Sequence, residues 1–166
     1  MKNVIRNLRA AIKDPEDYTA RSNLMWDTAM AGSRIIRLGK RMDLACHNMA
    51  YQLEAYTDCS HGEALAVLHP AYYRHIYQHA VPRFCRFAVN VWDIGEEGKT
   101  EEETARAGVE ALADLIREIG LAASLRELGA GENTDLKRIA ASCGISAGGY
   151  KRMTHREIFE IFQECF

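Results

Sequence analysis

The stretch from Asp43 to Pro70 constrains the fold more than any other part of the chain. Cys46, Met49, Ala50, Leu53 and Tyr56 recur at the spacing of one helix face, which makes that face apolar. Thr57-Asp58-Cys59-Ser60 reads as a turn, and a second helix opens at His61-Gly62. His47 and Tyr51 are four apart and share one side of the first helix. From His47 to Tyr56 that helix climbs roughly 13 Å, at ~1.5 Å per residue. Four turn residues span at most about the same distance, at ~3.3 Å each. An antiparallel return could therefore bring the imidazoles of His47 and His61 to one point. Spacing alone leaves two readings open, unrelated histidines or a pair of metal ligands.

The rest of the chain reads as helix after helix. Val4, Leu8 and Ile12 suggest a short amphipathic helix whose apolar side packs on a core. Asp14-Pro15-Glu16-Asp17 is a helix start, with Asp14 as the cap and Pro15 in the first turn. That helix is expected to reach Leu38 and stop at Gly39, with Met25, Ala29, Gly32 and Ile36 inward. The helix from His61 carries Leu65, Leu68, Tyr72 and Ile76, and Pro70 inside it should kink or break it. Pro82 begins a helix to Trp92, with Phe84, Phe87, Ala88 and Val91 inward. Thr100 and Glu103 form a capping box ahead of the stripe Ala105, Val109, Leu112, Ile116 and Ile119. Ser124–Gly129 is a short helical turn, and Asn133 or Thr134 caps a helix over 135–142. Thr154 and Glu157 form a second capping box, and Ile158, Ile161, Phe162 and Cys165 stripe the last helix. No segment alternates as a strand does. The expected fold is all-α, a multi-helix bundle, with residues 1–166 as a single helical domain.

Composition narrows the function. Lys and Arg number 21 against 23 Asp and Glu, a net charge of −2 with both signs scattered. That balance points to neither nucleic acid nor an anionic membrane as partner. Five cysteines (46, 59, 85, 143, 165) form no C-x-x-C pair, which suits free thiols in a reducing cytoplasm. No apolar run approaches the ~20 residues of a membrane span. The first residues carry charges where a signal peptide needs its apolar core.

The run His47-x13-His61-Gly62-x3-Ala66-x3-Pro70, enclosing Leu53-x-Ala55-Tyr56-x-Asp58, resembles the metal-binding segment of the iron-containing alcohol dehydrogenases, in particular the butanol-dehydrogenase-like branch. Gly120-Leu121-x3-Leu125-x-Glu127-Leu128-Gly129 resembles a turn of the same family, with Ala122 where proline is usual. The likeness runs nearly end to end over the family's C-terminal helical domain. It implies a divalent metal, Fe(II) or Zn(II), held by one Asp and three His, of which the last two fall on His47 and His61. It implies NAD(P)-linked interconversion of small alcohols and aldehydes by metal-assisted hydride transfer. Tyr51 stands where the family usually has a histidine assigned to proton relay, and a tyrosine is a poorer acid–base group at neutral pH. Two readings of Tyr51 stay open, a catalytic hydroxyl and a core aromatic. Two readings of Glu63 stay open as well, a carboxylate for the histidine and a solvated first-turn acid.

The resemblance also marks what these residues lack. No Gly-rich phosphate turn follows a strand, and no Asp-x3-His pair precedes His47. The chain is therefore expected to carry half a metal site, no NAD(P) site, and no dehydrogenase activity alone. Its partner would be a separate nucleotide-binding half or a second copy of itself. The alternative is a stand-alone helical interaction or oligomerisation module whose histidines are relics.

Overall fold

The computed structural model describes residues 1–33 and 35–166. The chain is all-α, with eight α-helices, two 3-10 turns and no strand among the described residues. It divides into two compact units, Met1–Met42 and Asp43–Phe166.

In the first unit, α1 (Lys2–Lys13) pairs with α2 (Tyr18–Gly32). The expected helix from Asp14 to Leu38 is shorter at both ends. Asp14 closes α1, its N–H donating to the Ala10 carbonyl, and Asp17 caps α2 by accepting from the Ala20 N–H at 2.9 Å. At the other end Ser33 turns extended (ψ 152°), and its hydroxyl donates to the Met30 carbonyl at 2.9 Å. A serine hydroxyl that competes for helix carbonyls, next to a glycine, terminates the helix where apolar spacing alone would continue it. A single 3-10 turn follows at Ile35–Arg37, and Arg34 lies outside the described residues.

The expected inner stripe of this unit faces solvent instead. Met25 is 75% and Ile36 47% exposed, and Val4 and Ile12 on α1 are exposed too. The buried residues are Ile5, Asn7 and Ala20. Two helices bury only a narrow seam between them, and this seam is polar. Asn7 donates to the Asn3 carbonyl at 2.7 Å, Asn23 to the Asn7 side chain at 3.2 Å, and Asn3 to Asp27 at 2.7 Å.

The second unit holds α3 (Ala45–Thr57), α4 (His61–Ile76), α5 (Val81–Trp92), α6 (Glu101–Glu118), α7 (Leu136–Ser142) and α8 (His155–Glu164). Neighbours in sequence pack as pairs, α3 with α4, α5 with α6, α7 with α8. Helix α4 is central and touches α3, α6 and α8. Met49, Ala50 and Leu53 of α3 meet Ala64 and Leu68 of α4 with no exposure at all. Each leucine so buried stabilises the fold by about 1.5–3 kcal/mol. Tyr56, expected on this face, lies in the last turn of α3 and is 45% exposed. Helix α4 runs unbroken through Pro70, which is buried. The ring removes one ladder hydrogen bond, and burial on both sides of the proline holds the helix together. Gly108 of α6 lets that helix lie directly on Ala88 of α5, where an added Cβ would come within 2.7 Å of the Ala88 Cβ.

The capping boxes at Thr100/Glu103 and Thr154/Glu157 form as expected, and a third closes the start of α4 at Ser60/Glu63. Glu63 thereby serves the helix end rather than a histidine. Helix α7 is capped by Asp135, which accepts from the Arg138 N–H, and not by Asn133 or Thr134. Residues 124–129 form turns rather than helix. No helix among the described residues is long and apolar enough to cross a membrane. All five cysteines are free thiols.

Candidate metal centre

The centre is built by the way α3 ends and α4 begins. Asp58 takes the left-handed conformation (φ 57°, ψ 21°) and its N–H donates to the Glu54 carbonyl, which stops α3. Aspartate tolerates that conformation better than most residues. Ser60, two residues later, caps α4. The link is thus Asp58–Ser60, one residue shorter than the expected turn, because Thr57 stays helical with its hydroxyl donating to the Leu53 carbonyl at 2.8 Å. So short a link folds the first turn of α4 back along α3.

The two histidines therefore meet. Nδ1 of His47 lies 3.1 Å from Nε2 of His61, with ring centroids 5.2 Å apart and planes 21° from parallel. Tyr51 completes the cluster, its ring 5.1 Å from that of His61 and 13° from parallel, and 6.3 Å from that of His47. Tyr51 is 56% exposed, so it is no core aromatic.

Glu54 is a member of this cluster that sequence reasoning overlooked. Its Oε1 lies 2.5 Å from Nδ1 of His61. Residues 47, 51 and 54 are spaced four and three apart on one helix face, so the signal was present as a carboxylate in line with His47 and Tyr51. A His61 ring with its hydrogen on Nδ1 donates it to Glu54, and its Nε2 then carries a lone pair that can accept from Nδ1 of His47.

Further along α4 sits His69, half-buried, its Nδ1–H donating to the Leu65 carbonyl at 2.8 Å and its ring edge-on to Tyr73. Burial pushes the His69 imidazole below the usual histidine range, and the hydrogen bond to Leu65 opposes that only in part, so it is neutral at pH 7. The start of α3 is fixed by Asp43. Its Oδ1 accepts the Ala45 N–H at 3.0 Å and its Oδ2 accepts the Tyr72 hydroxyl at 2.6 Å. Burial and then this carboxylate push the Tyr72 hydroxyl well above the usual tyrosine range. The remaining histidines lie elsewhere. His75 faces Glu157 at 3.3 Å and Lys151 at 3.4 Å, and Nε2–H of His155 donates to the Cys143 carbonyl at 2.9 Å.

Among the described residues no three His, Cys, Asp or Glu side chains gather so as to hold a metal. His47 and His61 do present two nitrogens to one point, while Glu54 sits on the far nitrogen of the His61 ring.

Comparison with known proteins identifies the family. The pattern of the Fe-containing alcohol dehydrogenase family, C-terminal, matches residues 1–166. NADH-dependent butanol dehydrogenase A of Clostridium acetobutylicum is 29% identical over 170 residues, covering 100% of this chain and 43% of the relative. The 1,3-propanediol dehydrogenase of Citrobacter freundii is 30% identical, covering 98% of this chain and 42% of that protein. The crystal structure of NADH-dependent butanol dehydrogenase A from Thermotoga maritima superposes with a TM-score of 0.90 at 27% identity, over 99% of this chain and 43% of that one. The chain thus spans less than half the length of the relatives it matches. It belongs to the Fe-containing alcohol dehydrogenase family and corresponds to that family's C-terminal, all-helical part.

Proposed function

We propose that residues 1–166 act as one helical domain, the metal-binding part of an iron-type, NAD(P)-linked dehydrogenase that interconverts small alcohols and aldehydes. The observation that carries this reading is the 3.1 Å approach of the His47 and His61 nitrogens. Two imidazole nitrogens about 2.1 Å from one ion and that far apart subtend roughly 95° at it, within the range of ordinary coordination. His47 and His61 would hold Fe(II) or Zn(II), both of which accept imidazole. The other ligands and NAD(P) would come from a nucleotide-binding portion, in the same polypeptide or a separate one, or from a second copy of this chain. Bound there, the metal would supply Lewis acidity at the alcohol or aldehyde oxygen. Activity would need that other portion, because these residues hold no phosphate-binding turn.

The chain's own side chains have separate tasks. The hairpin brings the two imidazoles to one place without help from another chain. The Tyr51 ring restrains His61 by stacking, and Tyr51, an exposed residue, would offer its hydroxyl as a hydrogen-bond donor to the substrate oxygen. The names of the relatives, butanol and 1,3-propanediol dehydrogenases, support a small aliphatic substrate. The test is anaerobic loading of the purified chain with Fe(II) or Zn(II), beside His61→Ala. Metal retained by the parent and lost in the variant is the expected result. Equal retention by both would overturn the reading. Addition of the nucleotide-binding half of a relative, with NADH and butanal, should then restore aldehyde reduction.

A further inference from the structure

The geometry points to Glu54 as the positioning residue that sets the tautomer and the direction of His61, and so prepares its Nε2 for the metal. This inference rests on the metal-binding reading and deepens it. A histidine ligand has two nitrogens, and which one is bare depends on the hydrogen bond the other makes. Here the choice is visible. Nδ1 of His61 lies 2.5 Å from the Glu54 carboxylate, while Nε2 faces His47. An ionised carboxylate can only accept, so it selects the tautomer with hydrogen on Nδ1. The lone pair on Nε2 then points toward His47, where the metal would lie.

Glu54 is not itself placed as a ligand. It contacts the ring nitrogen that points away from His47, so an ion between the histidines would have the His61 ring between itself and Glu54. The contact is protected enough to matter. The Glu54 side chain is 25% exposed and that of His61 39%, and the Tyr51 ring covers one face of the His61 ring. The Glu54 carbonyl also accepts the Asp58 N–H that ends α3, so backbone and side chain of one residue fix both the turn and the histidine it delivers. His47 has no such choice made for it by Glu54. An ion held by Nδ1 of His47 would need that nitrogen without its hydrogen.

The experiment compares the parent chain with Glu54→Ala, Glu54→Gln and His61→Ala. Nitrogen-15 spectra of the metal-free chain report the His61 tautomer, and competition with a chelator reports Zn(II) affinity. Circular dichroism and the melting temperature show that each variant folds. The parent should show Nδ1–H on His61. Glu54→Ala should lose that tautomer and bind Zn(II) about 10- to 100-fold more weakly, the usual effect of removing such a partner. Glu54→Gln can still accept through its amide oxygen, so it should keep the tautomer and recover most of the affinity. If Glu54→Ala keeps both tautomer and affinity while His61→Ala loses Zn(II), the role of Glu54 is refuted and the metal site stands. If the parent and His61→Ala bind Zn(II) alike, the metal site is refuted and the inference with it.

Discussion

Gly149→Ala should loosen the start of α3, and the structure sets the size of the effect. Gly149 has φ +91°, in the half of backbone space that glycine enters freely and L-residues avoid. A Cβ there would also lie 2.6 Å from Oδ2 and 2.7 Å from Cγ of Asp43. The backbone penalty is about 1–2 kcal/mol. Displacing the carboxylate weakens the hydrogen bond from Tyr72 and the one from the Ala45 N–H, and a hydrogen bond to a charged group contributes about 1.5–3 kcal/mol. The lower entropy of the unfolded alanine chain offsets about 0.4–1 kcal/mol of this. The net loss is roughly 2–4 kcal/mol, and the melting midpoint should fall on the order of 10 °C. Urea denaturation of four proteins, the parent, G149A, D43A and the double variant, measures it. Without the Asp43 carboxylate the collision disappears, so G149A should cost only about 1–2 kcal/mol in the D43A background. An equal cost in both backgrounds, or a loss under about 0.5 kcal/mol in the parent, would refute the reasoning.

Three further outcomes test the second unit. Gly108→Ala should destabilise by about 1–3 kcal/mol in urea titrations although alanine is the better helix former, because its Cβ would lie 2.7–2.8 Å from Ala88 atoms of the packed helix α5. Thr104 is fully buried and its hydroxyl has no hydrogen-bond partner among the described residues, so Thr104→Val should stabilise by about 1 kcal/mol, read as a higher urea midpoint. Burial raises the Glu157 carboxyl, but hydrogen bonds from Lys151, Thr154 and His75 outweigh it and bring it down to about 2 from an ordinary 4.5. Its stabilisation is therefore complete above about pH 4.5 and lost as pH falls toward 2, about 1–2 kcal/mol after allowance for solvent. Glu157→Gln should be less stable at pH 7 and lose less than the parent between pH 5 and 2, as followed by thermal melts.

The family, the helical class and the helix order were legible because they rest on local rules and on a long motif. Thr100 with Glu103, and Thr154 with Glu157, are caps that work wherever a helix starts. The spacing of Met49, Ala50 and Leu53 requires a buried face whatever covers it. Helix rise and turn length allowed His47 and His61 to meet, and the family resemblance singled them out as a pair; the structure sets their nitrogens 3.1 Å apart.

Tertiary structure decided the rest. Which side of α2 is buried depends on what lies against it, and a polar seam of Asn3, Asn7 and Asn23 took the place of the apolar stripe through Met25. Whether Pro70 breaks α4 depends on packing around it, since buried neighbours hold together a ladder that lacks one bond. The choice of Glu54 rather than Glu63 as the carboxylate for His61 had the same origin. Both are within reach in sequence, but Glu63 lies one turn into α4 and closes on Ser60, whereas the left-handed Asp58 folds His61 back onto Glu54. Helix periods and caps are properties of neighbouring residues, and so the sequence by itself determined them. The partner of a side chain across a turn depends on backbone angles at one or two residues, and only the folded chain shows those.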